Sequence, residues 1–560
     1  MKYKGNLLLF IYLLFAGFTH AQLTSQKASY TYEDTLRGSI TIYRQGWDVL
    51  KYDLQVEADI VNKSISGNNK ITYYESLPVR EMQIDLQKPL IIDSVISENG
   101  TPLTYRQLGN AWLVRLKPDG AMIKFLPGKR WLQVYYHGVP KEATRPPWDG
   151  GLIWRKDSLN NPYVATACQG LGASVWWPCK DHQSDEPDSG MTIKIIAPDT
   201  LSAISNGRLQ NVSPSANGTK TWTWLVTNPI NNYDVTMNIG KYSHWSDTLM
   251  GVAGKLDMDF WVLDYNLEKA KKQFPQAKLM LRSFENWFGK YPFYEDSYKL
   301  VETPYLGMEH QSGVAYGNKF ANGYLGNDLS GTGWGLKWDF IIVHESGHEW
   351  FGNNITSKDL GDMWLHEGFT NYSETLFTET YFGKEAANEY NYGTRKKIKN
   401  EGTIIGPYGV NDEGSGDMYY KGGNLLQLIR HSIDNDELFR SILIGLNTKF
   451  YHATVTTKEV EDYISAESKM DFSKVFDQYL RTIQIPVLEF VTKDKGRFIK
   501  YRWSNCVDHF DLSLVLKDGD QSLRIDPTKE WNTLHLTKEQ KGLWSPEQIE
   551  KNYYIKVNKK

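Results

Sequence analysis

Phe340-Ile-Ile-Val-His344-Glu345-Ser-Gly-His348-Glu-Trp-Phe-Gly-Asn-Asn354, followed by Trp364-Leu-His-Glu367-Gly-Phe369, decides the reading of this chain. On a helix, positions i and i+4 share a face, with Cβ atoms about 5–6 Å apart. His344 and His348 can therefore each place a ring nitrogen about 2.0–2.1 Å from one Zn²⁺. Glu345 points to the edge of such a metal, where a base can reach a water on it. Phe340, Ile341, Ile342 and Val343 give this helix, read over Trp338 to Asn353, a buried side that would hold the histidines rigid.

A third ligand is expected at Glu367, nineteen residues past His348, which leaves room for a turn and a return into a second helix from Met363 to Phe382. Asp362 reads as its N-cap, and Trp364, Glu367, Asn371 and Glu374 fall on one face. Three protein ligands leave a fourth position for water, the catalytic rather than the structural arrangement. The bland alternative is a surface helix carrying H-E-x-x-H by accident. The second stretch, arriving at the right distance, argues against it.

Working outward, 560 residues exceed a single core and suggest three or four domains. Hydrophobic residues at 41% and charged residues at 23% are ordinary globular values. A formal charge of −3 argues against a nucleic-acid partner or a polybasic membrane site. At the N-terminus, Lys2 and Lys4 precede an apolar run from Leu7 to Phe18, and Thr19-His-Ala21 offers small residues at −3 and −1. This reads as a secretory signal peptide over 1–21, cut after Ala21, which takes the formal charge from −3 to −5 by removing two lysines. The expected location is periplasmic or secreted. No later stretch has the length to span a bilayer, so no transmembrane segment is expected after the signal peptide. Cys168, Cys179 and Cys506 form no C-x-x-C pair. Cys168 and Cys179 could form a disulfide in an oxidising compartment, and Cys506 reads as a buried filler.

Short alternating runs broken by turns, such as Tyr52–Ala58, Lys70–Tyr74, Met191–Ile196 and Lys220–Val226, predict a β-rich domain over 22–245. Past Asp264 the period changes, and helices are expected over Leu267–Phe288, Gly422–Asp434 and Phe472–Leu480. Another is opened by a Thr456-Thr-Lys-Glu459 capping box. Together these give a mainly helical domain over 246–484. From Ile485 the alternation returns in Val487–Val491, Leu512–Leu516 and Tyr553–Val557, so 485–560 reads as a small β-sandwich. Gly331-Thr-Gly333-Trp-Gly335 lacks a preceding strand and a Lys-Ser/Thr ending, and is read as a mobile loop rather than a phosphate loop.

The chain resembles the M1 family of zinc aminopeptidases, gluzincins related to aminopeptidase N and leukotriene A4 hydrolase. The resemblance rests on His344-Glu-Ser-Gly-His348, the eighteen-residue spacer and Trp364-Leu-His-Glu-Gly-Phe369, and covers most of the mature chain. It implies a multidomain α+β protein: a β-rich N-terminal domain, a thermolysin-like catalytic domain and a small C-terminal β-sandwich. Leu306-Gly307-Met308-Glu309-His310 is similar to the exopeptidase motif G-x-M-E-N, from which Leu306 and His310 depart. The resemblance makes Gly307, Met308 and Glu309 substrate-binding residues, with Glu309 receiving the free α-ammonium. Tyr419-Tyr420-Lys421-Gly422 resembles Y-x-K-G, which would make Tyr419 the donor to the oxyanion. Gln169, after Cys168, matches a glutamine that helps hold the substrate's N-terminus. His366 stands where the family usually has asparagine; i and i+1 do not share a helix face, so it reads as a neighbouring polar group. Glu374 could accept from a ligating histidine or could simply be a helix-face charge. The chain ends soon after its small β region, so a carboxylate clamp that longer members place in a helical C-terminal domain is not carried over.

The expectation is an exported aminopeptidase with one Zn²⁺ on His344, His348 and Glu367, Glu345 as base and Tyr419 as oxyanion donor, acting through a zinc-activated water. Its partners would be peptides with a free N-terminus, and its oligomeric state is left open. The alternatives are an endopeptidase or an epoxide hydrolase on the same scaffold. A binding or scaffold protein with a relic site is the non-enzyme alternative, though no ligand or base is missing.

Overall fold

The structure is a computed structural model that describes residues 29–117, 125–215 and 217–560. The signal-peptide expectation for 1–21 lies outside these residues. Among the described residues no helix is long and apolar enough to cross a membrane.

The predicted alternating runs become strands of a twisted sheet of eight. In spatial order these are Arg208–Pro214, Thr219–Val226, Met191–Pro198, Trp47–Asp59, Ser64–Glu75, Gly128–Gly138, Ile91–Ser97 and Pro102–Leu103. Trp47–Asp59 pairs parallel with Met191–Pro198 and antiparallel with Ser64–Glu75. Alternation puts Tyr52, Leu54 and Val56 on the buried face, as a period of two requires. Smaller sheets, one of four strands and one of three, pack against it around Trp176, Trp177, Val164 and Ile239.

Tyr242–Gly251 opens a mixed five-stranded sheet ending at the short edge strand Gly307–Met308. Val301, Tyr305, Met308 and Ala315 of this region belong to the core of the β-rich domain, so the edge strand is clamped between two cores. Tyr305 Oη donates to Thr166 O (2.9 Å) and Asn206 Nδ2 to Gln311 O (2.7 Å) across the same boundary.

The helical layer differs from expectation in four places. Leu267–Phe288 is two helices, Leu267–Gln273 and Gln276–Phe288, because Pro275 brings no N–H to the break. The first ligand helix is Phe340–Gly347, shorter than predicted, with Asp339 capping Ile341 N and Ile342 N. Beyond it Glu349 N bonds Ser346 O and Trp350 N bonds Gly347 O, a tightened last turn. The second ligand helix is Trp364–Phe382, and its predicted cap Asp362 is diverted: it accepts instead from Tyr408 Oη and Thr457 Oγ1. The Thr456/Glu459 capping box forms in both directions at the start of Thr457–Ser468. The helix Tyr420–Ile433, here the tyrosine helix, begins two residues earlier than predicted.

The C-terminal part is a four-stranded sheet, Asn532–His535, Phe498–Ser504, Val487–Lys493 and Lys556–Lys559, with a hairpin Leu514–Asp518/Gln521–Ile525. Leu488, Trp503, Leu514 and Tyr553 share one continuous core with the helical layer. The multidomain α+β architecture is thus β-rich, then mainly helical, then β. The three cysteines are unpaired thiols, Cys168 and Cys179 buried and Cys506, expected to be buried, half-exposed. Gly331–Gly335 is anchored rather than loose: Asp328 caps Ser330 N and Gly333 N, and Trp334 Nε1 donates to Glu389 (2.8 Å).

Candidate metal centre and active site

All nine residues singled out in the sequence line one cavity of about 530 Å³: Gln169, Gly307, Met308, Glu309, His344, Glu345, His348, Glu367 and Tyr419. The tightened turn after Gly347 keeps His348 one turn from His344, and the ring centroids are 5.1 Å apart. Their Nε2 atoms lie 3.6 Å and 3.4 Å from Glu367 Oε2. Each Nδ1 is engaged behind the site. His344 Nδ1 meets Glu374 Oε1 at 2.8 Å, and His348 Nδ1 meets the Phe351 carbonyl at 3.1 Å. The Nε2 lone pairs are therefore the ones presented to the cavity.

These residues fit a zinc ion on two observations. Glu367 Oε2 is buried and has no hydrogen-bond partner among the described residues, and the three ligand atoms lie within 4.8 Å of one another. The electrostatics agree. Burial opposes charge on both imidazoles, yet the carboxylates outweigh it. Glu367 and Glu374 raise His344, and Glu367 and Glu309 raise His348. Burial would raise Glu367 too, but the imidazoles hold its carboxyl well below the usual range. A site that makes buried imidazoles more basic favours positive charge at its centre, and two nitrogens with one carboxylate oxygen suit Zn²⁺.

Glu374, whose role the sequence leaves open, is a hydrogen-bond acceptor for His344, a candidate ligand. It is fully buried and also takes Asn371 Nδ2 (3.1 Å) and Tyr390 Oη (2.6 Å). Tyr390 carried no sequence signal, because its helix, Lys384–Thr394, matches no motif.

Burial pushes Glu345 up to about 7, with His344 and His348 lowering it and Glu309 raising it. A bound dication would pull it down further. Gly307 packs directly on this carboxylate: a Cβ there would lie 2.7 Å from Glu345 Oε1. Glu345, Glu309 and His348 also converge within 4.8 Å. Glu309 is held on three sides. Gln169 Nε2 and Tyr233 Oη donate to its Oε1 at 2.8 Å and 3.2 Å, and Asn353 Nδ2 donates to its carbonyl at 2.8 Å. Burial and Glu367 raise its pKa while His348 lowers it.

Tyr419 immediately precedes the tyrosine helix and stacks on His344 with centroids 6.1 Å apart. Burial and the charge of Glu367 raise its phenol well above the usual value. Tyr420 also lines the cavity, and burial with the nearby charge of Glu374 raises its phenol. The remainder of Tyr419-Tyr-Lys-Gly422 has a packing reason. Lys421 Nζ donates to Thr482 O at 2.9 Å, and a Cβ on Gly422 would come 2.8 Å from Gly368 Cα. The glycine lets the two helices cross at backbone contact, which brings Tyr419 beside Glu367.

His366 is turned away from the ligand atoms. Its Nε2 accepts from Ser357 N (2.9 Å), and burial pushes it down to about 3. His310 is also buried, has no partner for either ring nitrogen among the described residues, and is pushed down to about 3. Much of the cavity's remaining wall, including Tyr324, Leu325, Pro147 and Trp148, comes from loops with no shared pattern, so no motif marks it.

The description "Peptidase family M1 domain" fits residues 273–479, and "Peptidase M1 N-terminal domain" fits 49–233. Among curated proteins, a probable aminopeptidase 2 of Sulfurisphaera tokodaii is 23% identical over 58% of this chain and 41% of its own length. Aminopeptidase N of Lactobacillus helveticus is 23% identical over 79% of this chain and 52% of its own. The chain therefore spans about half the length of these curated relatives. A crystal structure of an M1 zinc metallopeptidase from Deinococcus radiodurans superposes with a TM-score of 0.65 at 19% identity, covering 80% of this chain and 97% of that one. This last likeness is one of fold.

Proposed function

The chain belongs to peptidase family M1, and from that premise we propose that it is an exported zinc aminopeptidase releasing single residues from the free N-terminus of peptides. The observation that carries the reading is Glu309. Its carboxylate stands within 4.8 Å of Glu345 and His348, with Oε1 already taken by Gln169 and Tyr233. Oε2 is then the oxygen left for an α-ammonium, in a cavity where a mid-chain peptide would supply no charge to match it. Export is read from the leader-like pattern of Lys2 to Ala21.

His344, His348 and Glu367 would hold the metal, which when bound supplies Lewis-acid polarisation of the carbonyl and acidifies water. Glu345 accepts a proton from the attacking water and passes it to the leaving amine. Tyr419, its phenol kept neutral by burial, donates to the oxyanion as it develops. Glu309 and Gln169 fix the amino end, so the scissile bond is the first one. Glu374 keeps the His344 ring turned with Nε2 inward.

The test is a panel of aminoacyl p-nitroanilides with free or acetylated amino groups, with and without chelator. Chelator-sensitive hydrolysis of the free-amine forms alone is expected. Cleavage of acetylated forms would move the reading to an endopeptidase, and no cleavage by zinc-loaded protein would bring back the scaffold or epoxide readings.

A further inference from the structure

Glu309 Oε1 is reached by a chain of donors that starts two elements away. The Ser357 backbone N–H donates to His366 Nε2 at 2.9 Å, so that nitrogen carries the lone pair. The neutral ring must then bear its proton on Nδ1, which faces Tyr233 Oη at 3.5 Å. Tyr233 Oη accepts there and directs its own hydrogen to Glu309 Oε1 at 3.2 Å. Every member is buried, so no solvent competes for these bonds.

We propose that His366, acting through Tyr233, is a positioning residue that fixes the orientation of Glu309 and thereby the affinity for the substrate's α-ammonium. This rests on the reading of Glu309 given above. Both nitrogens of His366 are spoken for, so the ring is a relay and not a fourth ligand. The direction of the relay matters. Reversing the Tyr233 hydroxyl would put its lone pair, rather than its proton, against the carboxylate, and the fixed Ser357 N–H forbids that reversal. Gln169 donates to the same oxygen from the neighbouring loop, and Cys168 Sγ donates to the Tyr233 carbonyl at 3.2 Å, tying the two donors together. With Oε1 occupied twice, Oε2 is the oxygen oriented for the incoming cation.

Two measurements separate the links: kinetics on a free-amine aminoacyl p-nitroanilide, and calorimetric binding of L-leucinamide to the zinc-loaded protein in the Glu345→Gln background, where the amide is not turned over. Tyr233→Phe is expected to weaken L-leucinamide binding and raise KM about tenfold, the low end of what partners of site residues are worth, with the loss on KM rather than kcat. His366→Phe is expected to raise KM about threefold, and that rise should vanish in the Tyr233→Phe background because the ring acts only through the phenol. Zinc content is measured in each variant, since His366 adjoins a ligand. Unchanged L-leucinamide affinity in Tyr233→Phe overturns the proposal, as does a His366→Phe effect that persists undiminished in the double variant. Should His366→Phe fail to fold, the Tyr233→Phe affinity still decides the link to Glu309. A wild-type protein that ignores L-leucinamide and cleaves acetylated substrates overturns the Glu309 reading itself, a different result from either variant outcome.

Discussion

Gly422→Ala tests whether the crossing of two helices sets the active-site geometry. The added Cβ would stand 2.8 Å from Gly368 Cα, with Gly368 N and C at 3.8 Å and 3.9 Å. Both sides of this contact are backbone, so neither can rotate away. Restoring an ordinary carbon–carbon distance of about 3.5–4.0 Å requires the helices to part by roughly 1 Å. Glu367 lies one residue before Gly368, and Tyr419 three before Gly422, so the separation falls between the proposed metal ligand and the proposed oxyanion donor. A misplacement of about 1 Å costs on the order of 10²-fold in rate, and overpacking of this kind costs about 1–3 kcal/mol in stability. The assay is kcat on a free-amine anilide, with zinc content and thermal unfolding measured in parallel. Gly128→Ala is the control, since its Cβ would meet no atom within 4 Å. A Gly422→Ala protein with kcat within about twofold of wild type and unchanged unfolding would refute the argument that this contact positions Tyr419.

Glu345→Gln should keep its zinc and lose about 10²–10⁴-fold in kcat; normal turnover in a fully metallated variant would remove Glu345 as the base. Glu374→Leu strands three donors, His344 Nδ1, Asn371 Nδ2 and Tyr390 Oη, and should weaken zinc binding by about 10–100-fold in a chelator competition. Equal affinity would reduce Glu374 to packing. Burial raises Glu349 to about 8 in the folded protein, so the native state holds an extra proton between its ordinary value and there. The stability from that neutral carboxyl is complete below about pH 4.5 and lost as pH rises through 8. Glu349→Gln should therefore gain stability over wild type progressively from pH 5 to 9, and parallel pH profiles of unfolding would contradict this.

Much of the site was legible because its chemistry is local. His344, Glu345 and His348 are tied by helical spacing, and that spacing survives even though the helix ends at Gly347 and closes with a tighter turn. Strand alternation likewise placed Tyr52–Ala58 and Met191–Ile196, because a period of two is written in neighbouring residues. The break at Pro275 was legible in principle, since the missing N–H is a property of the residue itself.

What the sequence by itself marked, then, is the candidate ligands His344 and His348 with the candidate base Glu345, all within one turn, a third candidate ligand Glu367 in its own motif, and the order of β, helical and β regions. Tertiary structure alone decided the rest. Tyr233 reaches Glu309 across 76 positions, and Tyr390 reaches Glu374 across 16, from elements with no motif. Asp362 looked like a cap and was taken by Thr457, 95 residues on. Tyr419 is brought beside Glu367 by a backbone crossing at Gly368 and Gly422. Hydrogen bonds and close contacts between distant segments exist only once the chain has packed, and no local periodicity encodes which donor will arrive.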